Sequence, residues 1–419
     1  MKTLLKNARI LKMPKDEIIF GDLLVEGNKI AKIGENLSVN ADKVIDCDGN
    51  LLMPGFKNVH THTAMVFARS ASDDLVLHDW LFDCIFPMEA KFQPGDIYHL
   101  TKLGILEYLR GGVTTAFDMY FTPPEIIKAS EDMGFRTCIL ATSDKESIAQ
   151  LEYNLKTYNQ PDSLISYRLG IHAEYTTSLE RMKDIADLAN RYKIPVYLHI
   201  SEGEQEVKDC VGRYGTTPLK FLDSLGMFNY GGGGFHCVYF TDEEIEIAKK
   251  RNFKIITCPC SNLKLASGIA PIAKYQEAGL EIGIGTDGAG SNNALDMFRE
   301  MYLVSTLQKV INKNAAITDG FDVLKMATYN GANIIGLEEA NCLEVGKLAD
   351  IIMIDLKNPS MQPINNISKN IVYSGSKDCV KMTMINGEIR YMDGKYYINE
   401  DVAAIMAKAQ EVTDRLKAK

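Results

Sequence analysis

The chain has 419 residues, and 46 Lys and Arg against 55 Asp and Glu give it a formal net charge of -9. This length predicts one large domain plus a smaller one, and the lack of a basic run argues against nucleic acid as a partner. Charge begins at Lys2, no apolar stretch reaches the roughly 18 residues of a membrane span, and the nine cysteines have no framework spacing, so we expect a cytoplasmic protein.

Short β-segments separated by tight turns are predicted at both ends of the chain. The N-terminal segments cover residues 3–11, 22–26, 29–33 and 43–46. A similar pattern of short β-segments is found after about residue 343, at 346–355 and 381–388. We therefore predict a small β-sandwich domain made of residues 1–53 and 343–397, followed by a surface helix at 402–416 within a C-terminal segment, 398–419.

Between residues 54 and 342, β-type runs alternate with amphipathic stretches of helical period. Strands are predicted at 113–118, 137–142, 167–171, 196–200, around Phe235, 254–257 and 282–286, and helices at 124–133, 147–158, 179–192, 242–250 and 294–308. This α/β alternation fits a (β/α)8 TIM-type barrel, and an open doubly wound sheet is the alternative. We favour the barrel because only a closed ring brings the candidate ligands after strands 1, 4, 5, 6 and 8 around one centre.

Five of the seven histidines fall at the ends of separate apolar runs. They are His60, His62, His172, His199 and His236, and Asp287 follows another such run. His60 and His62 lie two positions apart, so on an extended strand both face one side and can bind one ion. A His-x-His pair alone is more often a satisfied polar pair, but several converging polar groups are costly unless they bind something. We therefore predict a divalent metal site.

The motifs around these residues resemble the amidohydrolase superfamily, in the branch of 5-methylthioadenosine/S-adenosylhomocysteine deaminases and triazine chlorohydrolases. The resemblance covers nearly the whole chain. Its motifs are Pro-Gly-Phe-x-x-x-His-x-His at 54–62, the segment 77–89, His199-x-x-Glu202, Phe235-His236-Cys237, the segment 261–271, Gly285-Thr286-Asp287-Gly288 and Ser291-Asn292-Asn293. It implies a metal-dependent hydrolase that deaminates an adenine nucleoside to the inosine analogue and ammonia.

Carried over by position, the resemblance implies that His60, His62, His199 and Asp287 hold one metal ion. Zn²⁺ is the expected ion, and Fe²⁺ and Mn²⁺ tolerate the same ligands. Binuclear relatives use a carboxylated lysine at the end of strand 4, but the strand predicted at 167–171 contains no lysine and leads into His172. We therefore expect a mononuclear centre.

The resemblance also assigns roles in the reaction. Glu202 is the expected general acid for a purine ring nitrogen, with a solvated surface glutamate as the alternative. His236 is expected to orient or deprotonate the attacking water, and Asp287 to act as both ligand and proton shuttle.

The substrate residues implied by the resemblance are Glu89, His172 and Trp80, together with Glu202 and Asp287. A carboxylate at Glu89 suits the vicinal hydroxyls of a ribose, because it accepts two hydrogen bonds. His172 is expected in the substrate pocket, with a core histidine as the alternative. Trp80 is the sole tryptophan, and a position at the pocket mouth and a plain core role are equally compatible with the sequence.

One difference between this sequence and the family that it resembles concerns the 5′ group of the substrate. Relatives that accept S-adenosylhomocysteine carry arginines after strand 3, whereas residues 139–167 contain no Arg. Ala141 and Gln150 stand at about those positions, with Lys145 and Lys156 nearby, so we favour a neutral 5′ group, as in 5-methylthioadenosine, 5′-deoxyadenosine or adenosine.

Three alternatives stay open. Hydrolysis of another heterocycle, such as guanine, a pyrimidine or a chlorotriazine, would use the same metal site without a ribose acceptor. A non-catalytic scaffold would show a degraded set of ligands. Members of the branch often form dimers or larger assemblies, so a homo-oligomer is compatible with the resemblance.

Overall fold

Seventeen strands form two sheets within residues 1–140 and 146–418, the part of the chain that this computed structural model describes. One sheet has nine strands and the other has eight parallel strands. In chain order the strands are β1 (Lys2–Lys12), β2 (Glu17–Glu26), β3 (Lys29–Gly34), β4 (Lys43–Asp46), β5 (Leu51–Pro54), β6 (Phe56–Thr61), β7 (Val113–Asp118), β8 (Arg136–Leu140), β9 (Ile165–Ala173), β10 (Val196–Ile200), β11 (Gly232–His236), β12 (Phe253–Thr257), β13 (Ile282–Ile284), β14 (Ile351–Ile354), β15 (Val380–Ile385), β16 (Glu388–Met392) and β17 (Lys395–Tyr396).

The eight-stranded sheet is a parallel barrel in which β6 to β13 follow one another in sequence order. The ring closes between its first and last strands, because the Asp287 N–H donates to the His60 carbonyl at 3.0 Å. Asn58 adds two bonds to Thr286, one from its Nδ2 to Oγ1 at 2.7 Å and one to its Oδ1 from the backbone N–H at 2.9 Å. The (β/α)8 prediction is therefore confirmed, and the open sheet is wrong.

Helices occupy the crossovers that parallel strands require. A π-helical turn, Trp80–Ile85, connects two short α-helices, Leu77–Asp79 and Phe86–Glu89. The α-helices are α1 (Leu77–Asp79), α2 (Phe86–Glu89), α3 (Asp96–Arg110), α4 (Pro123–Met133), α5 (Ile148–Tyr158), α6 (Leu179–Tyr192), α7 (Glu204–Tyr214), α8 (Pro218–Ser224), α9 (Asp242–Lys250), α10 (Pro259–Lys264), α11 (Ile272–Glu277), α12 (Met297–Ile311), α13 (Gly320–Ala327), α14 (Tyr329–Ile334), α15 (Ile367–Tyr373) and α16 (Val402–Lys417).

Most predicted barrel elements differ from the observed ones by a few residues at their ends. The helix predicted at 294–308 begins instead at Met297, because the Asp296 side chain accepts the Phe298 N–H at 3.0 Å and caps the helix there. The strand predicted at 167–171 extends to Ala173, so His172 lies within β9 and not after it. The last two residues of the strand predicted at 137–142, Ala141 and Thr142, lie outside the described residues.

The two chain ends form the nine-stranded mixed sheet, as predicted for the small β domain. Strand β1 pairs with β2, β4 and β5, and β5 pairs with β14, which joins the N-terminal half of the sheet to its C-terminal half. Buried side chains from both ends, including Leu5, Val25, Ile351 and Met382, pack in one cluster. The division at residues 53 and 342 stays a prediction.

A buried ion pair connects this sheet to the barrel. Arg136 on β8 donates through Nε to Asp350 Oδ2 at 2.8 Å and through Nη2 to Oδ1 at 3.2 Å. Helix α16 buries Ile405, Ala409 and Val412 and packs against α3. Among the described residues, no helix is both long enough and apolar enough to cross a membrane.

Candidate active site

Three histidine side chains meet at the C-terminal end of the barrel. His60 lies near the end of β6, His62 follows that strand, and His199 lies on β10. Their candidate ligand nitrogens all lie within 4.8 Å of one another. Asp287, after β13, places Oδ1 3.2 Å from His62 Nε2 and 3.5 Å from His60 Nε2. The structure thus brings the four predicted metal ligands together.

The hydrogen bonding of these rings fits a metal ion. Both ring nitrogens of His60 are buried and have no hydrogen-bond partner among the described residues, an arrangement that is costly unless something else binds them. Burial lowers the pKa of His60 to about 3, which keeps the ring in the neutral form that binds metals.

The other two rings are oriented by backbone carbonyls. His62 Nδ1 donates to the Met119 carbonyl at 2.5 Å, and His199 Nδ1 donates to the His172 carbonyl at 2.8 Å. A donor bond at Nδ1 directs Nε2 of His62 toward Asp287. Burial opposes the charged form of His62, but the interaction with Asp287 raises its pKa to about 9, so a metal ion would replace the proton on Nε2.

Asp287 is held by two serine hydroxyl groups, one from α10 and one from its own connection after β13. Its Oδ2 accepts Ser261 Oγ at 2.6 Å and Ser291 Oγ at 2.8 Å. Burial by itself would raise the pKa of Asp287, but the adjacent imidazole rings of His60 and His62 hold it well below its usual value. The carboxylate therefore stays ionised, as a metal ligand requires.

Glu202 and His236 form a second polar pair beside the histidine cluster. Glu202 follows β10 and is only 5% exposed, and its Oε2 lies 3.6 Å from Nε2 of His236, the last residue of β11. His236 Nδ1 donates to Asn262 Oδ1 at 2.7 Å, which fixes the ring with Nε2 toward Glu202. Burial raises the pKa of Glu202, so this carboxyl holds a proton at higher pH than a surface glutamate does.

A cavity of about 220 Å³ reaches every predicted site residue except His60, which lies behind the others. In the same cavity, Glu89 accepts a hydrogen bond from the Tyr120 hydroxyl at 2.6 Å. Burial raises the pKa of Glu89 to about 7, against the opposing effect of that hydrogen bond. The remaining wall is mostly apolar and consists of Met65, Leu77, Leu81, Ile85, Phe86, Met119, Phe121, Tyr175, Thr176 and Leu265.

His172 and Trp80 also line this cavity. His172 Nδ1 lies 2.8 Å from Thr176 Oγ1, and burial lowers the pKa of His172 to about 4, so the ring is neutral. Trp80 is buried at the cavity wall, and its indole N–H has no hydrogen-bond partner in the structure. Trp80 is therefore a buried residue of the cavity lining, and its position at the pocket mouth stays a prediction.

Several supporting residues were not predicted from the sequence. Tyr120, the partner of Glu89, follows the end of β7, and a search of every strand end would have found it. Asn262, Ser261 and Ser291 lie in the quoted motifs, but which group each one contacts depends on the folded loops.

Comparison with known proteins gives consistent results. The profile of the amidohydrolase family matches residues 51–390. A 5-methylthioadenosine/S-adenosylhomocysteine deaminase from Pyrococcus furiosus is 38% identical over 410 residues, which cover 95% of this chain and 97% of that protein. A 5′-deoxyadenosine deaminase from Methanobrevibacter smithii is 39% identical over 429 residues, which cover 99% of this chain and 98% of that protein. The crystal structure of an adenosine deaminase from Xanthomonas campestris with bound zinc superimposes with a TM-score of 0.94 at 32% identity, covering 99% of this chain and 98% of the other.

Proposed function

The chain belongs to the amidohydrolase family, and on that basis we propose that it deaminates adenine nucleosides to the inosine analogue and ammonia. The observation that carries the proposal is the meeting of two sites in one cavity. A histidine and aspartate cluster with a buried carboxyl group lies at one part of the cavity, and Glu89 lies at another. The first part suits hydrolysis, and the second suits a ribose.

His60, His62, His199 and Asp287 are the proposed ligands of one divalent ion. Zn²⁺ is the proposed ion, because imidazole and carboxylate are its usual ligands and the similar Xanthomonas campestris structure contains zinc. When bound, such an ion supplies Lewis-acid activation of water. A single ion is supported by β9, which contains no lysine.

The other side chains supply proton transfers. Glu202 gives its proton to the purine ring nitrogen as water attacks the amine-bearing carbon, and its raised pKa keeps that proton available. His236, oriented by Asn262, steadies the attacking water, and Asp287 accepts the water proton and passes it to the amine. Ammonia leaves, and the remaining hydroxyl proton returns to Glu202, so the enzyme regains its starting state.

Glu89 is the proposed acceptor for the ribose hydroxyls. Its Oε1 accepts a hydrogen bond from the Tyr120 hydroxyl. A carboxylate can accept about four hydrogen bonds, so Glu89 can also accept those of a vicinal diol. His172 and Trp80 are the proposed neighbours of the base and sugar, since both line the same cavity.

A neutral 5′ group fits the cavity better than a charged one. No Lys or Arg lines the cavity in the described part of the chain. Gln150 lies on α5 and donates to Asn154 at 2.9 Å, and Lys156 on the same helix lies over the Tyr192 ring. Ala141 and Lys145 are outside the described residues. 5-Methylthioadenosine, 5′-deoxyadenosine and adenosine are therefore the proposed substrates, ahead of S-adenosylhomocysteine.

The test is ammonia release by the Zn²⁺-supplied enzyme from these four nucleosides, guanine and cytosine, with chloride release from a chlorotriazine measured in parallel. We expect the neutral 5′ nucleosides to be turned over best. Turnover of free bases or the triazine alone would refute the nucleoside assignment. Cytoplasmic location and a homo-oligomeric state stay predictions, and light scattering of the purified protein tests the second.

A further inference from the structure

The ammonium group of Lys264, the last residue of α10, connects three of the segments that follow barrel strands. Its Nζ donates to Asp73 Oδ1 at 2.6 Å, to Asn293 Oδ1 at 2.8 Å and to the Gly290 carbonyl at 3.2 Å. Asp73 belongs to the connection after β6, Lys264 to the one after β12, and Gly290 and Asn293 to the one after β13. The three acceptors use all three ammonium hydrogens.

The same network continues to the cavity wall. Asn293 Nδ2 donates to the Asp73 carboxylate at 3.2 Å, which closes a triangle with Lys264. A Cβ added at Gly290 would lie 3.1 Å from Trp80 Cζ2, so the backbone that accepts from Lys264 also packs against the indole. The hydrogen bond from Lys264 lowers the pKa of Asp73, which favours the ionised partner.

Residues 73–89, which we call the cover segment, form much of one wall of the cavity. The segment contributes Leu77, Leu81, Ile85 and Phe86 to the apolar wall, and it carries both Trp80 and Glu89. Its first residue, Asp73, is bound by Lys264, and its last, Glu89, accepts from Tyr120 at 2.6 Å. Polar contacts therefore hold it at both ends, and the side chains that it turns toward the cavity between them are mostly apolar.

We propose that Lys264 is a positioning residue that holds the cover segment over the cavity, so that Trp80 and Glu89 meet the bound substrate. Side chains of Lys264 and Asp73 are 23% and 34% exposed, and ion pairs with such access to water are weak. A weak attachment lets the segment open for entry and release and close in between. The identity of the substrate rests on the proposed function, whereas the position of the segment does not.

Trp80 reports this position directly, because it is the only tryptophan in the chain. We expect Lys264→Met to raise the quenching of its fluorescence by acrylamide about twofold, in the absence of any substrate. Lys274→Met is the matched control, since Lys274 pairs with the exposed Asp242 away from the cavity and its loss should leave quenching unchanged. Equal quenching in Lys264→Met and the wild-type protein would overturn the proposal.

Kinetics provide a second readout. We expect Lys264→Met to raise the KM of the best nucleoside about fivefold, which corresponds to about 1 kcal/mol, with kcat changed less than about twofold. Asp73→Asn, which removes the charge of one of the three acceptors, should change KM and quenching in the same direction but by less, and the double variant should be no worse than Lys264→Met. Additive effects would contradict a shared contact.

The outcomes separate the two proposals. If no nucleoside is deaminated, the proposed function fails while the quenching experiment still decides the role of Lys264. If Lys264→Met does not fold, Asp73→Asn tests the same contact from its other side.

Discussion

Glu206 supports the turn that carries the proposed general acid. Its carboxylate accepts the backbone N–H of Ser201 at 2.7 Å, of Glu202 at 2.8 Å and of Gly203 at 3.4 Å. The substitution Glu206→Gln preserves the size of the side chain but replaces one of the two accepting oxygens with a donor. We expect this change to displace Glu202.

The structure sets the size of the effect. Ser201 donates to one carboxylate oxygen and Glu202 to the other, so the amide leaves at least one of these two N–H groups facing another N–H. Burial raises the pKa of Glu206 to about 7, so the effect is measured above that pH, where the three N–H groups donate to a charged carboxylate. A hydrogen bond to a charged group contributes about 1.5–3 kcal/mol. If the loss of this hydrogen bond displaces Glu202 and destabilises the transition state by the same free energy, kcat decreases about 10- to 150-fold.

The assay is steady-state ammonia release, combined with metal content and thermal unfolding of the same preparation. Glu206→Gln should lower kcat while metal content stays that of the wild-type enzyme. Glu204→Gln is the control, because Glu204 is exposed at the start of the same helix and its ion pair is with Lys208. A folded, metal-replete Glu206→Gln enzyme with the kcat of this control would refute the reasoning.

Three further predictions concern pH, stability and the metal. The pKa of Glu89 is raised to about 7 and its carboxylate form accepts hydroxyls, so kcat/KM for nucleosides should rise with pH through about 7, and the pH profile of Glu89→Gln should lack this limb. Arg136→Met leaves Asp350 buried and unpaired, and should lower the free energy of unfolding by about 3–5 kcal/mol in a denaturant titration, where a loss below about 1 kcal/mol would contradict the prediction. Removal of the metal with a chelator should abolish activity and lower Tm, and added Zn²⁺ should restore both. An unchanged Tm after chelation would contradict the proposed metal site.

The barrel and the convergence of the candidate ligands could be predicted from the sequence because both leave local signals. Alternating strand and helix periods mark the barrel, and each ligand follows an apolar run at a strand end. The contacts between loops leave no such signal. Tyr120 and Glu89 are 31 positions apart, and Lys264 and Asp73 are 191 positions apart, so only the folded chain shows that they meet.

Strand β5 illustrates the same limit in the small sheet. Leu51–Pro54 has only four residues, too few for a periodic pattern, and it leads directly into the motif that ends at His62. Its assignment as a strand depends on pairing with β1 on one side and β14 on the other, and β14 lies about 300 residues later. Its partners are therefore set by tertiary structure.

The backbone at the active site opposes local preference. Ser201, His236, Cys237 and Asp287 follow or end barrel strands with φ of 51°, 71°, 47° and 58°, a region that side-chain-bearing residues rarely adopt. Each such residue costs about 1–2 kcal/mol. Hydrogen bonds between neighbouring strand ends hold these turns, since Cys237 N–H donates to the Ile200 carbonyl at 3.2 Å and Asp287 N–H donates to the His60 carbonyl at 3.0 Å. The closed ring of strands thus imposes the turns that the residues themselves disfavour, and it is these turns that carry His236 and Asp287 to the common centre.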